Sequence, residues 1–426
     1  MRQRRVVITG MGMATSNGLE VGENWRKALE GVSGIRRLDY PGAENSPVKA
    51  VGQIAEEDWL RIAGEFPEDA RREGERSTLY ALWSARRALE DSGLVSGGRR
   101  GRFGVSMAKG LGINRPEDIS SWLSGGSFDY ERFGRELQRV HRESIIRNLT
   151  HCTSGLIARK FSLGGPNRTV TTACASATQA IGTAFRSVRH GEADVMVAGG
   201  TDSMINPVGL VFFVLLGAAS TWEGDPALAC RPYDRRRSGL VMGEGAGVVV
   251  LEELSHALER GAGIYAEVAG YGASLDSHEL TAPHPEGYGA ELSMRRALED
   301  AGLGPGDVDY INAHGTSTKL NDAVETMAIK RVFGAHAAGI SINSTKSMLG
   351  HLLAGAGGPE LVLTALSVRE DVVHPTLNLE RPDPKCDLDY TAGVKREREV
   401  RAALSNSFGF GGQNSTIAVK KYRPKE

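Results

Sequence analysis

Short, nearly continuous apolar runs punctuate the chain, among them Val6-Val7-Ile8, Val195-Met196-Val197-Ala198 and Val248-Val249-Val250-Leu251. Continuous rather than alternating runs are what strands covered on both faces require. Amphipathic stretches lie between them and stop on glycine. Residues 86–94 end at Gly93-Leu94 and residues 295–303 at Gly302-Leu303, the pattern of a helix closed by a left-handed residue. Two further strands, Val308 to Ile311 and Ile340 to Asn343, each run into a loop rich in small and hydroxyl residues. This alternation predicts an α/β protein. The longest apolar run, Val208 to Ala219, has 12 residues, short of the ~18 that a membrane helix needs. Arg2, Arg4 and Arg5 before Val6 imitate a signal peptide, but Thr9, Gly10 and Gly12 interrupt the stretch, which reads as a first strand.

The pattern occurs twice. Arg86-Arg87-Ala88-Leu89-Glu90-Asp91-Ser92-Gly93-Leu94 is repeated almost letter for letter by residues 295–303. Val7-Ile8-Thr9-Gly10-Met11-Gly12 resembles Glu267-Val268-Ala269-Gly270-Tyr271-Gly272, residues 173–189 match 353–369, and the glycine-rich run at 243–247 parallels 409–412. Four matches in the same order predict two copies of one α/β unit, 1–258 and 262–426, with two sheets around a shared helical layer. A long insertion at about 112–165 interrupts the first copy, in the manner of segments that build substrate access or subunit contacts.

Composition narrows the function. The 426 residues hold 51 Lys+Arg against 52 Asp+Glu, a net charge of −1 that argues against bulk nucleic-acid binding. With 40% hydrophobic residues the chain can bury a large core. Its four cysteines, Cys152, Cys174, Cys230 and Cys386, have no CxxC spacing, so a reduced, cytoplasmic protein is expected.

One cysteine stands apart. The run Thr169-Val170-Thr171-Thr172-Ala173-Cys174-Ala175-Ser176-Ala177 places Cys174 where a β-branched strand gives way to a helix of small residues. Free N–H groups and the positive helix end favour a thiolate there, so a lowered pKa is expected. The other three cysteines read as buried structural residues. Two histidine motifs follow predicted strands: Asn312-Ala313-His314-Gly315-Thr316-Ser317-Thr318, and Ser344-Thr345-Lys346-Ser347-Met348-Leu349-Gly350-His351. Neither has a carboxylate or second His at ligand spacing, so metal binding is not expected. A nucleophile with two strand-end histidines is a catalytic constellation.

These motifs, with Asn406-Ser407-Phe408-Gly409-Phe410-Gly411-Gly412, resemble the elongating β-ketoacyl-acyl-carrier-protein synthases of the thiolase superfamily, from Arg4 to Tyr422. The resemblance implies a duplicated thiolase-like fold, five-layer α/β/α/β/α, and a decarboxylative Claisen condensation. Cys174 would carry the acyl group. His314 and His351 would donate to the enolate of malonyl-carrier protein, and Lys346 would orient the second-histidine region. Backbone N–H groups of Cys174 and Phe410 would hold the oxyanion, with Gly409 and Gly411 permitting the approach and Phe410 gating between the acyl and malonyl sites. Thr316 and Thr318 would hold the malonyl or pantetheine portion, and Asn312, Glu360 and Ser405 a structural cation. No cofactor is implied beyond the phosphopantetheine of the acyl carrier protein. The partner is a second ketosynthase-like chain, as homodimer or heterodimer.

The chain departs from the family in places. Gln413 replaces a common Thr, and Leu210-Val211-Phe212-Phe213-Val214-Leu215-Leu216 is bulkier than the usual small-residue run. By position that run, Phe212 included, is expected to line the acyl tunnel or the dimer interface, and Leu111 sits where the resemblance implies a tunnel-limiting residue, pointing to fatty-acid or polyketide elongation of altered chain specificity. Arg71, Arg72, Arg139, Arg142 and Arg147 are expected to form a basic rim for an acidic carrier. Other readings fit less well. Thr15 breaks the third position of a dinucleotide fingerprint that Gly10-Met11-Gly12 begins. A degradative thiolase would place a second cysteine where Gly409 to Gly412 stand, and an initiating synthase would replace one histidine by Asn. A non-catalytic chain-length partner would lack Cys174, leaving the active half of such a heterodimer as the alternative.

Overall fold

The computed structural model describes residues 4–95, 100–111, 120–140 and 144–424. Among them, ten strands form one ladder: β1 Val6–Ala14, β2 Phe103–Lys109, β3 Asn167–Val170, β4 Val195–Asp202, β5 Gly245–Glu253, β6 Ala266–Leu275, β7 Tyr310–Asn312, β8 Ser341–Asn343, β9 Ala402–Phe408 and β10 Gln413–Lys420. Their order is β8-β7-β9-β10-β6-β1-β5-β4-β2-β3. Read outward from the centre, each half has its first, fifth, fourth, second and third strand. The two are also identical in direction. The second strand pairs parallel with the third and fourth, and the fifth pairs antiparallel with the fourth and first. Within the sheet the halves are joined by Val6–Ile8 pairing with Ala266–Val268. The fold is thus a duplicated thiolase-like one.

Helices α1 (Arg76–Asp91) and α2 (His151–Lys160) cover the outer face of the first half-sheet. Helix α3 (Ser176–Arg189) and the last helix of this set, Gly357–Glu370, touch both half-sheets and form the shared inner layer. The latter is buried from Gly357 through Val368, so it is covered on every side. Between them in sequence come α4 (Pro207–Leu215), α5 (Tyr288–Ala301), α6 (Lys319–Phe333) and the short α7 (Lys346–Leu349), which makes the inner helix Gly357–Glu370 α8. Helices α5 and α6 cover the second half-sheet.

The sequence repeats fall on equivalent elements. Both first strands shift register before their first glycine, at Ile8/Gly10 and Val268/Gly270. A Cβ on Gly10 would stand 2.1 Å from Ala88 O, and one on Gly270 2.3 Å from Ala297 O. The glycine-x-glycine within each strand therefore lets a helix lie directly on the backbone. It is a packing device, which accounts for a fingerprint that stops short of nucleotide binding.

Two other equivalent positions are strained. Ala173 (φ 47°) and Leu353 (φ 50°) are left-handed although neither is glycine. The same turn follows each. Ala175 N donates to Thr172 O and Ser176 N to Ala173 O, while Gly355 N donates to Leu352 O and Ala356 N to Leu353 O. Each turn launches one of the two inner helices.

Candidate active site

Cys174 sits on the first of these turns. Thr172 N donates to Ser176 Oγ (2.7 Å), which donates in turn to Ala173 O (2.6 Å) and staples the strained residue in place. His314 follows β7, where Glu325 of α6 takes the N–H of His314 on one oxygen and that of Gly315 on the other, both at 2.8 Å. His351 ends the loop after α7, and its backbone N–H donates to Val241 O.

Three separate segments thus converge. The Cys174 sulfur and one ring nitrogen from each histidine lie within 4.8 Å of one another, with the two rings edge-to-face at 5.3 Å. They form the floor of a cavity of about 340 Å³ that opens past Thr316, Thr318, Gly409, Phe410 and Gly411 to Ser238, Lys319 and Leu320 at the surface. Thr316 and Thr318 share a hydrogen bond of 2.9 Å.

The loop after β9 comes close to the sulfur. Phe410 N–H donates to Cys174, and a Cβ on Gly409 would stand 3.2 Å from Cys174 N. Only glycine leaves that amide open, so the two N–H groups can act together as an oxyanion hole.

Electrostatics correct one expectation. The Cys174 thiol is not lowered. Burial pushes it up to about 12, against the pull of the Lys346 charge and the Phe410 N–H and with further raising by Asp202 and Glu360. Burial likewise holds His314 and His351 well below the usual imidazole value, helped by Lys346. Both rings are neutral at physiological pH. Leu353 N–H donates to His351 Nδ1 at 3.1 Å. That bond puts the His351 proton on Nε2, which is buried and has no partner.

The same bond decides against a metal. Cysteine and two imidazoles at this spacing match a zinc donor set. A metal needs the Nε2 lone pair, however, and His351 presents an N–H there.

Lys346 does not line the cavity. It lies behind it, fully buried and ion-paired with Glu360, so a solvated loop lysine is ruled out. Burial, opposed by Lys346, raises Glu360 to about 7. Asn312 and Ser405 are paired across β7 and β9, and Asn312 Nδ2 donates to Glu360 O. Asn312 Oδ1, Glu360 Oε2 and Ser405 Oγ are all buried without a hydrogen-bond partner. This oxygen-only set fits a hard cation.

Other expected residues lie elsewhere. Leu111 is 49% exposed and Phe212 44%, and neither lines the cavity. Helix α4 turns the next residue inward instead, setting Phe213 6.4 Å from Phe410. Two members of the expected arginine rim are described. Arg147 is buried, and exposed Arg139 pairs with Glu136 at 2.9 Å. Arg142 and the side chains of Arg71 and Arg72 lie outside the described residues. The exposed cations beside the mouth are Arg235, Lys319 and Arg381, joined where Lys319 Nζ donates to Arg235 O and Arg235 N to Arg381 O. No local pattern marked these residues or Glu325. Phe213 was hidden too, because its helix is apolar at every position and its phase singles out no residue.

Residues 3–257 match the family "Beta-ketoacyl synthase, N-terminal domain", and residues 265–380 match "Beta-ketoacyl synthase, C-terminal domain". The chain belongs to the β-ketoacyl synthase family. This synthase is 41% identical over 425 residues to 3-oxoacyl-[acyl-carrier-protein] synthase 2 of Synechocystis sp., with 99% of each chain covered. It is 39% identical to the protein of the same name from Coxiella burnetii, again over 99% of each. Among solved structures, one similar chain comes from a type II polyketide-synthase acyl-carrier protein in complex with its ketosynthase, with TM-score 0.87, 33% identity, and 99% and 100% coverage of the two chains. A β-ketoacyl synthase from Burkholderia phymatum is similar at TM-score 0.85 and 34% identity, with the same coverage.

Proposed function

We propose that the protein elongates a carrier-bound acyl chain, with Cys174 as acyl acceptor and His314 and His351 as the donors that stabilise the malonyl-derived enolate. The convergence of these three side chains at the floor of one narrow cavity supports this reading above any other observation.

In the first half-reaction the Cys174 thiol attacks the acyl thioester. Its proton passes to neutral His314 and then to the departing carrier thiolate, so no standing thiolate is needed. The oxyanion rests against the N–H groups of Cys174 and Phe410. In the second half-reaction malonyl thioester loses CO₂. The enolate oxygen accepts from His351 Nε2–H and from His314, and each such donor is worth roughly 10²–10³ in rate. The enolate carbon attacks acyl-Cys174, the tetrahedral intermediate expels the sulfur, and the thiolate takes one proton from water. Lys346 and Glu360 set the field behind the histidines. Asn312, Glu360 and Ser405 would hold a structural cation there.

The substrates are thioesters of an acyl carrier protein, in fatty-acid or polyketide elongation, and Arg235, Lys319 and Arg381 face the incoming acidic partner. Binding that weakens with salt supports such a rim, and salt-independent binding opposes it. The chain works in the cytoplasm as a dimer with a ketosynthase-like subunit. The test is intact mass after exposure to acyl-carrier protein, followed by product mass with malonyl-carrier protein. Wild type should gain the acyl mass and Cys174→Ala should not. Acylation that persists in the variant would place the nucleophile elsewhere.

A further inference from the structure

The second strained turn, at Leu353, repeats the geometry of the Cys174 turn without a nucleophile. Gly10 pairs with Val250 and Gly270 with Ala418, while Val250 also pairs with Val197 and Ala418 with Leu404. Counting along β4 and β9 from these equivalent residues, Asp202 occupies in the first half the position that Gly409 holds in the second. Ala354 likewise stands where Cys174 stands.

The two positions are used in opposite ways. Gly409 leaves the Cys174 amide bare for substrate. Asp202 instead puts a carboxylate oxygen on the equivalent amide, with Ala354 N–H donating to Oδ2 at 3.0 Å and Ser203 N–H to Oδ1 at 2.9 Å. Asp202 is itself buried. The strand end and the turn are packed without slack, since a Cβ on Gly355 would lie 2.9 Å from Thr201 and one on Gly200 3.0 Å from Ala354 O. The amide just before the one held by Asp202 is that of Leu353, which donates to His351 Nδ1. One strained residue therefore links the carboxylate to the imidazole.

We infer that Asp202 is a positioning residue for His351: its carboxylate fills the unused twin of the oxyanion site and pins the Leu353 turn that keeps His351 Nε2–H aimed into the cavity. This rests on the proposed roles of Cys174 and His351. Without the carboxylate, Ala354 N–H is buried and unpaired, and Leu353 can relax from its left-handed conformation. The imidazole then loses its fixed tautomer and direction. A donor misplaced by about 1 Å costs on the order of 10²-fold. Cys174 has its own turn and its own amides, so Asp202 bears on acylation only through its charge, which raises the thiol.

Asp202 also titrates in the working range. Burial raises it to about 7, opposed by the amides of Ala354 and Ser203 and by Lys109 of β2, with Glu75 before α1 raising it further. Cys174 is the other titratable group facing it.

The experiment separates the two half-reactions in wild type, Asp202→Ala and Asp202→Asn. Cys174 acylation is followed by intact mass, and CO₂ release from malonyl-carrier protein by acylated enzyme is followed from pH 5.5 to 8.5. Asp202→Ala should lose about 10²-fold in the rate of CO₂ release with KM little changed and acylation kept within a few-fold. Asp202→Asn retains one acceptor for Ala354 N–H and should recover part of that rate. Wild type should slow as pH falls below about 7, and Asn should lose the portion of this slope that Asp202 causes, while Glu360 titrates in both. Equal losses in both half-reactions would mean a merely structural role and overturn the inference, as would CO₂ release by Asp202→Ala at the wild-type rate. If wild type itself is neither acylated nor releases CO₂, the proposed function fails instead.

Discussion

A thiol held near 12 has a measurable consequence. At pH 8 only ~10⁻⁴ of Cys174 is thiolate, and at pH 7 only ~10⁻⁵, where an ordinary cysteine is a few per cent ionised. Alkylation by iodoacetamide needs the thiolate and brings no carbonyl for the oxyanion hole. Its rate should therefore rise about tenfold per pH unit from 7 to 10 without a plateau. The assay is intact mass against time, with Cys174→Ala to subtract labelling elsewhere. Two variants fix the cause. Lys346→Met removes the strongest opposing charge and should slow alkylation at fixed pH, whereas Glu360→Gln removes a raising charge and should speed it. Acyl transfer should stay faster than alkylation at neutral pH because His314 takes the proton during attack. A plateau at or below pH 8 would refute the reasoning, and the helix start would then dominate burial after all.

Phe410→Ala keeps the backbone N–H but removes the ring packed against Phe213, so malonyl decarboxylation without an acyl primer should rise. Unchanged dependence on primer, measured as CO₂ release, would count against gating. Glu360 binds its proton more tightly folded than unfolded, so the stability it contributes is full below about pH 4.5 and is lost as pH rises through about 7. Glu360→Gln should remove on the order of 3 kcal/mol of that slope between pH 5 and 8, read from chemical denaturation at each pH. An identical slope in the variant would place the charge cost elsewhere, with Asp202 the next candidate. Gly409→Asp should place a carboxylate on Cys174 N–H as Asp202 places one on Ala354 N–H. Acylation should then fall by 10² or more while thermal stability changes far less, and retained acylation would break the equivalence of the two turns.

The duplication was legible because it is written in backbone chemistry. Glycines that admit a helix at Gly10 and Gly270, and the left-handed stops at Gly93 and Gly302, leave letters that repeat. Cys174 and both histidines of the candidate site were legible for a related reason: each follows a strand that had to end. What the sequence hid was direction and depth. Nothing local says that Phe213 rather than Phe212 turns toward Phe410, or that Lys346 is sealed behind the histidines. The Cys174 thiol went the other way because its helix start is visible in sequence, whereas burial, the larger influence, comes from segments brought in by the fold, among them those carrying Leu216, His314, His351 and Phe410.

A duplicated fold starts with two equivalent turns, and a condensing enzyme needs only one nucleophile. Two reactive turns side by side would compete for the same acyl group. The second turn is retained here with its strain and its hydrogen bonds intact, although a relaxed loop would cost less. Both of its amides are occupied, that of Leu353 by His351 and that of Ala354 by Asp202. Strain held in place by two partners is easiest to understand if the partners need it. The left-handed residue that exposes a sulfur in one half presents an N–H to an imidazole in the other. The same backbone geometry that makes a nucleophile reachable at Ala173 thus makes a general donor rigid at Leu353, and the exchange of Gly409 for Asp202 at the facing strand end separates the two uses.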